Sequence, residues 1–174
     1  MRNGLQGIWA DRSGASALEF ALLAPLFFSV AFSTFEAGWL MTRSTLLDRA
    51  VSQVVRLVRV ADPQAPKTQT EFKQAICDEA MIIPDCINAV TVEMTEVTSA
   101  ADFPTSSVSC VDRGAQVQPV VAYKEGGRAS IMYVRVCTVA DPLTPGIGFA
   151  LSLPKDSKGG YSLVSTAAFM NEPV

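Results

Sequence analysis

A chain of 174 residues with 49% apolar residues and a net charge of −3 has room for one domain plus a membrane segment. It has no basic cluster, so nucleic acid is not an expected partner. Histidine is absent. That excludes Ser/Cys–His hydrolysis and a His-ligated metal. No motif of the usual catalytic set is present either, so no enzyme, cofactor or small-molecule substrate is expected.

Residues 1–14 form a short polar leader with Arg2 and Arg12, ending in Gly14. Ser13-Gly14-Ala15-Ser16-Ala17-Leu18-Glu19-Phe20 then opens a run that stays almost purely apolar to Met41, with Glu19 near its start. A charge at the bilayer centre costs roughly 2.5–3.5 kcal/mol on insertion scales, so this carboxylate calls for a role. Glycine at the end of the leader supplies the flexible residue without a Cβ that a peptidase needs at a scissile position. Cleavage there gives Ala15 a new amine, which Glu19 of a neighbouring chain can pair with, neutralising both charges. The plainer alternative is an uncleaved signal anchor in which Glu19 only marks the membrane boundary.

Residues 20–42 are 23 in number and carry one charge, Glu36. As a helix they reach about 35 Å, enough for a hydrocarbon core of about 30 Å. Trp39 falls at the far end, where an indole suits the headgroup region, and Pro25 inside the run predicts a kink or a loosened turn. Glu36, one turn before Trp39, reads as a residue at the lipid–water boundary; a second assembly contact is the sharper alternative.

The helix is expected to continue, because residues 42–60 lack Gly and Pro. Leu47, Val51, Val54, Val55 and Val58 recur at helical spacing, with polar residues opposite. Asp62-Pro63 and Pro66 end it. The expected division is a leader at 1–14, a transmembrane and assembly helix at 15–42, an amphipathic extension at 43–60, and an extracytoplasmic domain at 61–174.

In that domain a helix is predicted over residues 70–81, with Thr70 as N-cap and Phe72, Ala75 and Ile76 on one face. Residues 90–95 alternate as a half-buried strand. Residues 102–110, rich in Ser, Thr and Pro, read as a loop. Residues 117–123 and 129–139 read as strands joined by a hairpin turn at Glu125-Gly126-Gly127-Arg128. Lys158-Gly159-Gly160 turns into a last strand over 161–169. The fold class is α+β, a long N-terminal helix packed on a small antiparallel sheet of three or four strands.

Cys77, Cys86, Cys110 and Cys137 all follow the apolar run, and none has the CxxC spacing of a zinc ribbon or redox motif. An even number on one side of a membrane segment fits two disulfides in an oxidising compartment, with four free thiols as the bland alternative. Three connectivities are open, and the two sequential pairs close the shorter loops.

The stretch Arg12-Ser13-Gly14-Ala15-Ser16-Ala17-Leu18-Glu19-Phe20-Ala21-Leu22-Leu23-Ala24-Pro25-Leu26 resembles the start of TadE-like minor pilins (pseudopilins) of the tight-adherence (Tad/Flp) type IV pilus. Phe35-Glu36-Ala37-Gly38 resembles a second acidic position in the same helix. The ending Ala167-Ala168-Phe169-Met170-Asn171-Glu172-Pro173-Val174 is similar to the family's Ala-Phe-Arg-Asn-Glu-Pro, with Met170 where arginine is usual. The resemblance implies Gly14 and Ala15 as the processing pair, and Glu19 with Phe20 as assembly residues. It implies a prepilin peptidase, minor and major pilins and the assembly platform as partners. It also implies a bacterial inner-membrane location and a role in pilus assembly, adhesion and biofilm formation.

Orientation is a conflict in the sequence. Arg2 and Arg12 precede the apolar run, while Arg43, Arg49, Arg56 and Arg59 follow it, so the positive-inside rule points the carboxyl domain to the cytoplasm. The cysteines and the leader chemistry point it to the periplasm, which is the orientation adopted. Two rivals remain: an uncleaved signal-anchored binding or scaffold module, and a secreted protein cut after Ala37.

Overall fold

A computed structural model describes residues 14–103, 110–114 and 120–172. The expected leader, residues 117–119 of an expected strand, most of the Ser/Thr loop and the last two residues lie outside them.

Helix α1 runs without interruption over Ala15–Arg59, past Pro25 and Gly38. Its 45 residues make it about 67 Å long. Two halves of the sequence give it two environments. Up to Phe28 nearly every side chain is exposed, and half of them are leucine or phenylalanine. From Leu47 onward the stripe Leu47, Ala50, Val51, Val54 and Val55 is buried, and Val58 packs at its margin. This is the expected amphipathic half, and it lies on the following helix and on the third strand.

Helix α2, Gln69–Ala80, starts one residue earlier than expected, and its N-cap is Thr68, not Thr70. The reason is the acid three residues on. Thr68 Oγ1 accepts from the Glu71 N–H (3.2 Å), while Glu71 Oε2 accepts from the N–H groups of Lys67 (2.7 Å) and Thr68 (3.3 Å). Only Thr68 has that reciprocal partner. Phe72, Ile76 and Ala80 form the buried face, each of the two larger side chains contributing about 1.5–3 kcal/mol by burial. A four-residue helix, α3 (Cys86–Ala89), leads into the sheet.

The sheet is three-stranded and antiparallel in the order β1 (Val90–Glu96), β2 (Ile131–Ala140), β3 (Tyr161–Met170). Strand alternation sends Val90, Val92, Met94, Met132, Val134, Val136, Leu163 and Phe169 into one core with α1 and α2. On the other face Glu93 stands opposite Arg135 in register, and the two form a buried ion pair at 2.5 Å.

The hairpin expected at residues 125–128 does not join two paired strands. Both edges of β2 are taken by β1 and β3. The segment before the turn instead lies parallel to β1, where the Met94 N–H donates to Ala122 O and the Lys124 N–H donates to Met94 O, both at 2.9 Å. The turn becomes a buttress: the Asn171 side-chain amide donates to Glu125 O and Gly127 O. Next to it the Glu172 N–H donates to Arg59 O (3.0 Å), tying the end of β3 to the end of α1.

The candidate site on the N-terminal helix

Helix α1 begins directly after Gly14, whose carbonyl accepts the Leu18 N–H at 3.1 Å. Gly14 has open space around it, and Ala15, Glu19 and Phe20 are all exposed on the first turns. No ion pair joins Glu19 to another described residue. Among the described residues the helix is exposed, not packed, at this end.

Polar side chains further along are quieted within the helix. Ser33, Thr34, Thr42 and Thr45 each donate a hydroxyl to the carbonyl four residues earlier, at 2.6–2.9 Å. Such bonds satisfy hydroxyls that lipid could not. Phe28 stacks on Phe32 with ring centroids 5.9 Å apart, and Phe27 meets Phe28 edge-on at 5.5 Å.

Glu36 does not stand exposed on the helix surface. It is fully buried, and its Oε2 accepts from the Thr144 N–H (2.9 Å) and the Thr144 hydroxyl (3.1 Å). It is covered by its own fold and holds the β2–β3 connection against α1. The same connection meets the helix again lower down, where the Phe149 N–H donates to Ser33 Oγ at 3.1 Å. Above Glu36, the Arg43 guanidinium lies 5.0 Å over the Trp39 ring and donates to Asp141 O at 3.2 Å. Sequence reasoning missed Thr144 because 108 positions separate it from Glu36.

On the side of the domain, Arg113 joins Asp141 (2.6 Å) and Asp156 (2.9 Å). The Arg113 hydrogen bonds, with the N–H groups of Gly160 and Lys158, draw the Asp156 carboxyl down to about 2. Asp156 raises Arg113 in return. A cleft of about 360 Å³ runs past Arg43, Pro84, Asp85, Arg113 and Asp141. Among the described residues no group of three or more His, Cys, Asp or Glu is placed to hold a metal ion. Cys77 bonds to Cys86 and Cys110 to Cys137, with Cα–Cα distances of 5.7 and 5.2 Å. The first ties α2 to α3, and the second pins the 97–130 connection to β2.

Among the described residues, then, the first turns of α1 form an exposed apolar surface that the fold itself does not cover. A family profile described as TadE-like protein matches residues 14–56. Over those residues the chain is similar to TadE-like proteins. The match begins one residue before α1 and ends three before its last, so the family signal and the helix coincide. It covers about a quarter of the chain. No curated protein and no solved structure matches. The TadE-like helix is also long and apolar enough to cross a membrane, which fits a single-pass anchor.

Proposed function

We propose that this chain is a minor pilin, or pseudopilin, of the Tad system: a structural subunit, not an enzyme. A prepilin peptidase removes residues 1–14, leaving Ala15 as the mature amino terminus. The subunit then sits in the inner membrane through α1, with residues 61–174 in the periplasm. Glu19 of one subunit pairs with the Ala15 amine of the next, and Phe20 packs beside it as helices join major and minor pilins on the assembly platform. Pilus assembly, adhesion and biofilm formation follow from that role.

One observation carries the reading. A single helix is buried over its second half and bare over its first, where Leu18, Phe20, Leu22, Leu23, Leu26 and Phe27 are each more than 60% exposed. An apolar surface of this kind needs lipid or a bundle of like helices. The two disulfides support a periplasmic domain. The arginine count runs the other way, but Arg43 and Arg59 are engaged in the folded domain, by Trp39 and Asp141 and by Glu172.

Mass spectrometry of the protein purified from membranes tests the proposal. A mature terminus at Ala15 is expected. Met1 retained would indicate the uncleaved anchor, Gly38 would indicate a secreted protein, and either would overturn the pilin reading.

A further inference from the structure

The β2–β3 connection is the feature that the pilin reading leaves unused. It leaves β2 at Ala140, beside Arg43, and runs down α1 toward its bare half. Thr144 meets Glu36, Phe149 meets Ser33, and Gly148 lies against Ser29 and Ser33. A Cβ on Gly148, whose φ is +61°, would stand 2.3 Å from Ser33 Oγ and 3.1 Å from Ser29 O, so only glycine permits this approach. From Arg43 to Ser29 the connection follows about 21 Å of helix.

Its chemistry is unlike that of the rest of the domain. Residues 142–154 carry no charge. Leu143, Ile147, Phe149 and Leu151 are exposed, Leu151 at 63%. Part of its backbone is already satisfied. Pro142 and Pro145 have no N–H; Thr144 and Phe149 donate theirs to α1, while Ile147 donates to Thr144 O and Ser152 to Phe149 O within the segment itself. Apolar side chains outward, with these amides already bonded, suit the interfacial edge of a bilayer.

Height along the helix identifies that environment. With lipid entered at Ala15, a hydrocarbon core of about 30 Å ends near residue 35, within a turn of Glu36. The connection straddles that boundary and reaches about 9 Å beneath it at Ser29, the depth to which interfacial segments bury their apolar face. Trp39 and Arg43 then fall at headgroup level.

We propose that residues 143–151 are a second membrane contact, seated in the outer boundary of the bilayer that holds α1, with Leu143, Ile147, Phe149 and Leu151 among the acyl chains. Two contacts on one bilayer fix the tilt of the domain, which a lone helix does not. The proposal rests on the membrane-inserted reading of α1.

The test uses full-length protein in phosphatidylethanolamine–phosphatidylglycerol vesicles, with Leu151→Trp and, separately, Phe28→Trp. Both positions are exposed, so both variants keep the fold. The emission that each new indole adds to wild type is read with lipids brominated high or low on the acyl chain. At position 151, lipids brominated high on the chain should quench about half of the added emission and deep bromination should quench less. At position 28, deep bromination should quench more strongly. Quenching at 28 without any at 151 overturns the second contact and leaves the anchor standing. No quenching at either position overturns both. Emission at 151 that shifts with protein concentration but not with bromination overturns the lipid contact and assigns the face to a second copy of the chain.

Discussion

Glu93 and Arg135 support the sheet on which α1 rests, and their replacement has a calculable cost. The Arg135 side chain is 7% exposed and the Glu93 side chain 19%; two bonds of 2.5 and 2.8 Å join them. Glu93→Ala leaves a guanidinium buried on the central strand, short of its closest charge partner. Breaking such a pair costs about 3–5 kcal/mol, and the partial opening of Glu93 sets the expectation near about 3 kcal/mol. The double replacement Glu93→Val with Arg135→Met removes both charges and leaves β-compatible apolar side chains. It should lie within about 1 kcal/mol of wild type, because the desolvation of both ions is recovered. A double-mutant cycle by urea unfolding of the full chain in detergent, followed by near-ultraviolet circular dichroism, measures the coupling. A cost below about 1 kcal/mol for Glu93→Ala, or a double variant worse than the single, would refute the argument from buried charge.

Three other outcomes are expected. Glu19→Gln should still be trimmed after Gly14 and still insert, yet lose crosslinks to partner pilins and surface pili; pili at wild-type level would reduce Glu19 to a boundary residue. Gly148→Ala should free the β2–β3 connection from α1, speeding amide exchange at Thr144 and Phe149 by more than tenfold, about 1.4 kcal/mol of local stability, while β2 amides stay protected. The Asp156 carboxyl, depressed from 3.8 to about 2, contributes stability that is present above about pH 4 and lost as pH falls toward 2. Asp156→Asn should flatten unfolding in that window, leaving only what Asp102, also lowered to about 2, and other acids contribute.

The apolar run to Met41 and the lack of Gly and Pro over residues 42–60 made α1 legible over its whole length, past the kink expected at Pro25, and the Leu47–Val58 spacing named its buried face. The strands were legible where one face meets the core, as in Val90, Val92 and Met94. Partner choice was not: β-propensity marked residues 117–123 without indicating that their visible part would lie parallel to β1. Thr68 and Thr70 both offered an N-cap, and only the reach of Glu71 decides between them. Glu36 was legible as an anomaly, but its partner Thr144 lies in a stretch with no periodicity. Gly14, Ala15, Glu19 and Phe20 belong to a segment that is exposed among the described residues, so the fold supplies no contact there that could have checked their expected roles.

The unbroken passage of α1 from bare half to buried half has a mechanical consequence. A pull on the exposed end travels along one rod into the domain, with no hinge to absorb it. Leu47, Val51 and Val54 must then slide past α2 and β3 together, as a pin is drawn from a sleeve, so the grip resists in shear and does not unzip one contact at a time. At the far end of the rod, the Glu172 N–H on the Arg59 carbonyl acts as the stop.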